Sequence, residues 1–264
     1  MSDQIKYTSK LTSSRILIIG GSSGIGFSVA EACIEHGASV VLSSSNPTRV
    51  ESAVSRIATA YPSKKSAIHG VTVDLGKPST LENELEKVLK RSVEILKGKL
   101  NHVIFTAGDA LATMPLSSMT YANIVAAGQV RFFAPLLLAK YLPEYLEDSH
   151  ASSYTITTGS ISEKPMPGWN VIAGFMGGLH SMVRNLALDL KPVRVNGVSP
   201  GVVDTELWRV SEEERKEMMR SMGEKLATGR AGRPEDVAES YLGLLRDGNV
   251  TGSMVRTDGG GLIM

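Results

Sequence analysis

The stretch that decides the fold is Gly20-Gly21-Ser22-Ser23-Gly24-Ile25-Gly26, which joins a short apolar run, residues 15–19, to the helical segment FSVAEACIEHG. Glycines at such a junction permit a tight turn and let backbone N–H groups approach a pyrophosphate, while the helix start adds partial positive charge. A glycine-rich turn alone is weak evidence, since any strand-to-helix turn can use one. Placed between a strand and a helix, this one predicts a dinucleotide-binding site.

The rest of the chain alternates compact apolar runs with longer helical segments. The runs, typical of parallel strands covered on both faces, are 15–19, 39–43, 68–73, 102–105, 154–158, 193–198 and 253–256. The helical segments lie at about 25–36, 47–60, 79–97, 119–141, 170–190, 206–226 and 234–246. This alternation predicts an α/β fold over residues 1–264: a single-domain, Rossmann-like, doubly wound parallel seven-stranded sheet flanked by helices. A helical substrate lid is expected at about 202–228.

The composition favours a soluble cytoplasmic protein with neither nucleic-acid nor membrane partners. A net charge of +1 without runs of like charge gives no basic surface for nucleic acid. The N-terminus MSDQIKYTSK has no apolar signal region, and no stretch approaches the ~18 apolar residues of a membrane span. The single cysteine, Cys33, excludes an internal disulfide, and the five scattered histidines predict no metal site.

The residues after the second strand bear on which dinucleotide binds. They read Ser43-Ser44-Ser45-Asn46, where an NAD site usually has an Asp or Glu against the ribose hydroxyls. No acid is present to repel a 2′-phosphate, and hydroxyls, the Asn46 amide and Arg49 can bind it. The alternative is a polar turn with Asn46 as the N-cap before Pro47, and both can hold. The segment favours NADP(H).

Several motifs, in order along the chain, resemble the short-chain dehydrogenase/reductase family. They are the glycine motif at 19–26, Asp74-Leu75, Phe105-Thr106-Ala107-Gly108, the Pro-Gly segment at 195–205, and the C-terminal segments 230–238 and 258–261. With the turn after the second strand, the resemblance implies these NADP(H) contacts: Gly20, Ser22, Ser23, Gly24, Ile25, Gly26, Ser44, Ser45, Asn46, Arg49, Asp74, Leu75, Thr106, Ala107, Gly108, Pro200, Gly201, Val203 and Thr205.

The chain departs from the family at the catalytic residues. Working members use a Ser, a Tyr and a Lys at fixed spacing, and counting back from residues 186–190 puts these positions at Gly159, Ile172 and Met176. The family's helical Asn falls at Gln129 or Val130. Residues 159–180 contain no tyrosine, so a small alignment shift does not restore the triad. None of the three residues can transfer a proton near neutral pH.

Loss of the proton donor restricts the chemistry that remains. Reducing a ketone leaves an alkoxide that needs a proton, whereas hydride addition to an iminium cancels the substrate's own charge. A narrower resemblance agrees. Segments 129–135 and 164–169 look like an atypical branch that includes fungal NADPH-dependent reductase/Diels–Alderases of bicyclo[2.2.2]diazaoctane indole alkaloids, of the malbrancheamide and paraherquamide type. It implies catalytic roles for Arg131 and Trp169, but its Asp is replaced by Met166.

We therefore predict an NADPH-dependent reductase of a hydrophobic, alkaloid-like iminium, with or without intramolecular Diels–Alder cyclisation. The predicted substrate pocket contains Phe132, Ser160, Met166 and Trp208. Ser160 is alternatively a turn former, and Arg131 is alternatively an interface salt bridge. Met218, Met219 and Met222 are further candidates for the pocket wall and are alternatively core residues. Small residues in the helix at 170–190 favour a homodimer or homotetramer. The competing functions are a non-catalytic NADP(H)-binding protein and a redox-neutral isomerase or pericyclase that uses the cofactor as a scaffold.

Overall fold

The fold centres on a seven-stranded sheet in which every neighbouring pair is parallel. The computed structural model describes residues 5–264. In chain order the strands are β1 Arg15–Ile19, β2 Ser39–Ser44, β3 Ile68–Thr72, β4 His102–Phe105, β5 Ser153–Thr157, β6 Arg194–Pro200 and β7 Met254–Thr257. Their order in the sheet is β3-β2-β1-β4-β5-β6-β7. The predicted doubly wound α/β architecture is confirmed, with strand ends shifted by two residues at most.

Residues 5–264 form eight α-helices: α1 Gly24–Glu35, α2 Pro47–Ala60, α3 Leu81–Leu96, α4 Tyr121–Gly128, α5 Ala134–Tyr145, α6 Asn170–Asp189, α7 Glu212–Gly223 and α8 Pro234–Arg246. Short 3-10 turns lie at Pro62–Ala67, Pro78–Thr80, Leu116–Ser118, Ser160–Ser162 and Glu206–Trp208. A π-helical segment, Gln129–Phe133, joins α4 to α5. The starts of α2 and α8 agree with prediction because proline occupies the first turn of each helix.

The two faces of the sheet carry separate hydrophobic cores. Side chains alternate along β1, so that Leu17 and Ile19 pack on one side with α3, α5 and α6. Ile16 and Ile18 pack on the other side with α1, α2 and α8. Because helices cover both faces, the cleft left for a ligand is at the carboxyl ends of the strands.

Two predicted helices are interrupted. The segment predicted as one helix at 206–226 is a single 3-10 turn that ends at left-handed Arg209, φ 53°, followed by α7. A capping box between Ser211 and Glu214 starts α7 afresh. The helix predicted at 119–141 contains the π segment and continues to Tyr145. Pro135 follows that segment, and it has no N–H to continue the regular ladder.

By length and composition alone, the continuous stretch Tyr121–Tyr145 is apolar enough to cross a membrane. The sequence predicts no membrane span, because no stretch approaches ~18 apolar residues. Gln129, Arg131 and Lys140 interrupt the apolar runs of this one. In the fold, Leu138 and Leu142 of this stretch are buried against α3 and the sheet, as in a core helix.

Candidate active site

A cavity of about 930 Å³ lies at the carboxyl ends of the strands. Turns that follow the first six strands line its inner side, and the segment from Val202 to Leu226 contributes its outer wall. Every predicted cofactor residue except Asn46 lines this cavity. The cavity is large enough to hold part of a dinucleotide together with a small molecule, since ordinary ligand pockets measure roughly 300–1,000 Å³.

The glycine turn is built for close backbone approach. Gly20 has φ +92°, and a Cβ on it would lie 2.5 Å from the backbone nitrogen of Ala107. A Cβ on Gly26 would collide with the Gly20 carbonyl and the Thr106 hydroxyl. The first N–H groups of α1 are therefore held open beside the loop after β4, and within the described chain the Ser23 side chain makes no capping bond to them. This geometry fits a pyrophosphate.

The ribose end of the cavity is polar. Ser44, Ser45 and Arg49 line it, whereas the Asn46 Oδ1 accepts a hydrogen bond from the Arg49 backbone N–H at 3.1 Å. Asn46 is thus the N-cap of α2, as one of its two predicted roles requires, and it does not line the cavity. Among the cavity residues of this turn there is no carboxylate.

The positions at which we predict the family's catalytic residues to be replaced form an apolar wall. Gly159 follows β5, and Ile172 and Met176 lie one turn apart on α6; all three line the cavity. Ile172 is 1% exposed and Met176 is 3% exposed. The Thr158 hydroxyl donates to the Met176 carbonyl at 2.8 Å, which fixes the strand end against α6. Ser160 starts a 3-10 turn, as a turn former would, and it also lines the cavity.

Arg131 enters the cavity from the π segment and is paired inside the chain. Its Nε donates to the Asp109 Oδ1 at 3.0 Å, and its Nη2 donates to the Asp109 carbonyl. A Cβ on Gly108 would lie 2.7 Å from the Arg131 Nη1, so that glycine lets the guanidinium lie over the loop after β4. Burial lowers the pKa of Arg131, and Asp109 partly offsets that shift. Asp109 thus gives Arg131 a partner within the chain.

Some of the aromatic and methionine side chains predicted for the substrate pocket line the cavity. Trp169 precedes α6 and lines the cavity, as do Met166, Trp208 and Met222. The indole N–H of Trp208 donates to the Val203 carbonyl at 2.8 Å, which anchors the 3-10 turn to the Pro-Gly segment. Met166 is 43% exposed and stands at the cavity mouth.

Phe132 was predicted as a pocket residue, and this placement is wrong. Its ring packs against Phe133 and Phe175, with centroids 5.8 and 5.2 Å away, and it does not line the cavity. The π segment turns Val130 and Arg131 to the cavity and Phe132 to α6, where Gly178 leaves room for the ring. Met219 is a core residue, and Met218 lies outside the cavity lining.

Several charged residues of the cavity were not predicted from the sequence. Asp109 and Asp258 line it, together with Lys164, Glu206, Arg209 and Lys225. The Lys164 ammonium donates to the Met264 carbonyl at 3.0 Å and to the Gly261 carbonyl, so the C-terminal segment holds it. The signal for Asp109 was available, because it directly follows the Thr106-Ala107-Gly108 motif. Among residues 5–264 there is no cluster of three or more His, Cys, Asp or Glu able to hold a metal ion.

Comparisons with known proteins agree with this architecture. The family described as SDR-like Rossmann domain matches residues 7–264. The short-chain dehydrogenase/reductase fsr5 of Gibberella fujikuroi is 45% identical over 262 residues, or 98% of each chain. The short-chain dehydrogenase/reductase malC of Malbranchea aurantiaca is 40% identical over 256 residues, or 96% of each chain. The solved MalC reductase/Diels–Alderase of that organism superposes with a TM-score of 0.91 at 39% identity, covering 98% of this chain and 100% of that one.

These matches cover nearly the whole chain. A single family accounts for the glycine cradle, the strand order and the Pro-Gly segment. A Rossmann fold of this type binds a nicotinamide dinucleotide, and its enzymes act on small molecules. The chain belongs to the short-chain dehydrogenase/reductase family of oxidoreductases.

Proposed function

We propose that the chain is an NADPH-dependent reductase of an iminium carbon in a hydrophobic, alkaloid-like intermediate. The observation that carries this proposal is an intact cofactor cradle beside the apolar wall of Gly159, Ile172 and Met176. Such a wall cannot protonate an alkoxide. It is compatible with a substrate whose carbon is already electrophilic and whose charge is cancelled on reduction.

The residues present fit the proposed cofactor. The turn at Gly20–Gly26 would hold the pyrophosphate, and Ser44, Ser45 and Arg49 would hold a 2′-phosphate. When bound, reduced nicotinamide supplies a hydride. Hydride addition to an iminium carbon would need neither a proton nor a leaving group, because the C=N π pair would move onto nitrogen, and so no side chain of this protein would have to transfer a proton. Ile172 and Met176 keep water from the reacting atoms.

Diels–Alder cyclisation is the finer part of the proposal. The relative MalC is named a reductase/Diels–Alderase, and its fold matches this chain closely. Cyclisation within one molecule needs a cavity that holds the diene against the dienophile, and confinement alone supplies several kcal/mol. Trp169, Trp208 and Met222 line the cavity as broad apolar walls. Met166 supplies no carboxylate, so we propose that shape rather than acid–base chemistry controls this step.

The segment at about 202–228 is proposed as the substrate lid. Leu207, Trp208, Arg209 and Met222 place its side chains on the outer wall of the cavity. Arg209, in the left-handed region, separates the 3-10 turn from α7 and gives the lid a bend. The lid residues would exclude water once substrate and cofactor are bound.

We also propose a cytoplasmic homodimer or homotetramer. Exposed apolar side chains lie on the helices that cover one face of the sheet: Tyr121 and Ile124 on α4, Leu136 on α5 and Leu188 on α6. Such residues on adjacent helices support self-association. Light scattering of the full chain measures the assembly directly.

The test is anaerobic incubation of the protein with NADPH and a cyclic dienyl iminium, monitored by absorbance at the NADPH band and by mass spectrometry. Consumption of one NADPH per reduced product supports the reductase, and a bridged product with controlled stereochemistry supports cyclisation. Unchanged substrate at stoichiometric enzyme, despite bound NADPH, would identify a non-catalytic binding protein instead. Bridged product formed from the azadiene with NADP⁺ alone would identify a redox-neutral pericyclase. Rapid reduction of simple ketones would contradict the proposal.

A further inference from the structure

The Asp109–Arg131 pair joins the loop after β4 to the π segment at the cavity wall. The Asp109 Oδ1 lies 3.0 Å from the Arg131 Nε, and both residues line the cavity. The Arg131 side chain is 13% exposed, whereas that of Asp109 is 37% exposed. No donor among the described residues bonds to the second carboxylate oxygen, Oδ2. The pair therefore offers an acceptor to a ligand while its cation is covered.

Two of the three other carboxylates of the cavity, those of Asp74 and Asp258, accept hydrogen bonds at turns, whereas that of Glu206 lies at the glycine turn. The Asp74 Oδ1 accepts from the Gly76 backbone N–H at 3.0 Å, at the turn after β3. Asp258 accepts the backbone N–H groups of Gly260 and Leu262 at 3.0 and 3.2 Å. The Glu206 carboxylate lies beside the glycine turn, 3.8 Å from the Cβ position of Gly24. Asp109 is the cavity carboxylate with a free oxygen on the loop that carries Gly108.

The charges of the surrounding side chains decide what the Asp109 Oδ2 can bind. Arg131, Lys164, Arg209 and Lys225 line the same cavity, and Arg209 acts electrostatically on Arg131. An unpaired guanidinium beside the reaction site would repel a cationic substrate strongly, because few water molecules screen charges in a half-buried pocket. Asp109 cancels the charge of Arg131 and turns an anion-selective wall into one that accepts a cation.

We propose that Asp109 is the specificity-determining residue for a cationic substrate: its Oδ1 neutralises Arg131 and its Oδ2 receives the positive end of the ligand. This inference rests on the proposed function, since an iminium is the cationic substrate in question. In this role Asp109 recognises the charge of the substrate and does not transfer a proton.

The experiment compares two ligands of equal shape and different charge. 10-Methylacridinium is a permanent cation, and acridine is neutral at mildly alkaline pH; both are fluorescent. Binding is titrated to the NADP⁺-loaded full chain, so that no hydride is available. The measured quantity is the ratio of the two dissociation constants in wild type, Asp109→Asn, Arg131→Gln and the double variant. Glu147→Gln is the matched control, because Glu147 pairs with Arg15 at 2.8 Å outside the cavity.

Asp109→Asn is expected to weaken methylacridinium about tenfold and leave acridine unchanged, since it uncovers the Arg131 charge. Arg131→Gln is expected to move the ratio the other way, because it leaves Asp109 unpaired. The ratio in the double variant should return towards the wild-type value, and the ratio in the Glu147→Gln control should equal the wild-type value. These opposite signs separate recognition of charge from a structural role.

Equal weakening of both ligands in Asp109→Asn would overturn the inference, because it would mean that Asp109 only shapes the loop. An unchanged ratio would overturn it as well. If Asp109→Asn does not fold, the sign of the change in Arg131→Gln decides. Failure of the proposed function looks different: no iminium would be reduced by wild type with NADPH, while the charge ratio in the NADP⁺ complex would still respond.

Discussion

Met176 lies one helical turn beyond Ile172 on α6, and the two side chains make a buried apolar wall of the cavity, at the positions where we predict the family's Tyr and Lys to be replaced. A reaction at this wall cannot depend on the titration of a side chain there. With a permanently charged iminium, we expect kcat/KM to be flat between about pH 6 and pH 9. Stopped-flow oxidation of NADPH over that range measures it. A bell-shaped profile that one side-chain replacement removes would contradict this prediction.

The glycine cradle makes a second prediction. Gly20→Ala places a Cβ against the Ala107 backbone at a residue with φ +92°, which costs about 1–3 kcal/mol in backbone strain and tilts α1 away from the pyrophosphate site. We expect lower stability and loss of NADPH binding, measured by urea unfolding and fluorescence titration. Gly243→Ala on α8 is the control: its Cβ meets no atom within 4 Å, so the variant should gain ~0.5–1 kcal/mol and bind NADPH normally.

Arg49 provides a test of cofactor choice. Its side chain lines the ribose end of the cavity, where a 2′-phosphate would be the group that it recognises. Arg49→Ala should weaken NADPH about tenfold, corresponding to ~1.4 kcal/mol for the lost charge-assisted contact, and leave NADH unaffected. Isothermal titration with both cofactors gives the comparison. A parallel loss for NADPH and NADH would show instead that Arg49 supports the turn.

His102 connects stability to pH. It is 3% exposed, its Nδ1 lies 2.8 Å from the Ser153 hydroxyl, and burial, together with the smaller effect of the nearby Arg194 charge, lowers its pKa to about 3. The unfolded chain takes up a proton on the His102 ring near pH 6.5, whereas the folded chain does not. The contribution of neutral His102 to the free energy of unfolding is therefore fully present above that pH. It should fall by up to ~1.4 kcal/mol per pH unit between pH 6.5 and about pH 3.

Urea unfolding of wild type and His102→Gln across that range isolates this contribution. The variant should be less stable near neutral pH because the replacement is buried, but the difference between the two proteins should shrink as the pH falls. A difference that stays constant with pH would contradict the assignment to His102.

The sheet and most of the cofactor cradle could be predicted because their signals are local. Strands covered on both faces appear as compact apolar runs, and the turn after β1 needs glycine whatever surrounds it. The same locality explains the agreement of β1, β4, α2 and α8 with their predicted bounds. Asn46 was assigned two roles by one pattern, and the structure shows the helix cap.

The features that the sequence did not reveal depend on contacts between distant segments. A regular helical period through 119–141 gives no sign of the π segment, so Phe132 was placed on the wrong side. The pairing of Asp109 with Arg131 likewise needs the loop after β4 and the π segment to meet. The break before α7 was the exception, because the capping box of Ser211 and Glu214 is a local signal that was missed.

The π segment has a consequence for how this pocket could diversify. One additional residue within a helical turn rotates the helix before it by roughly 100° relative to the helix after it. That rotation decides whether the chamber receives the guanidinium of Arg131 or the ring of Phe132. Deletion of one residue between the start of α4 and Arg131 would therefore bring Phe132 to the position of Arg131 and exchange a charged lining for an aromatic one, without substitution of any lining residue.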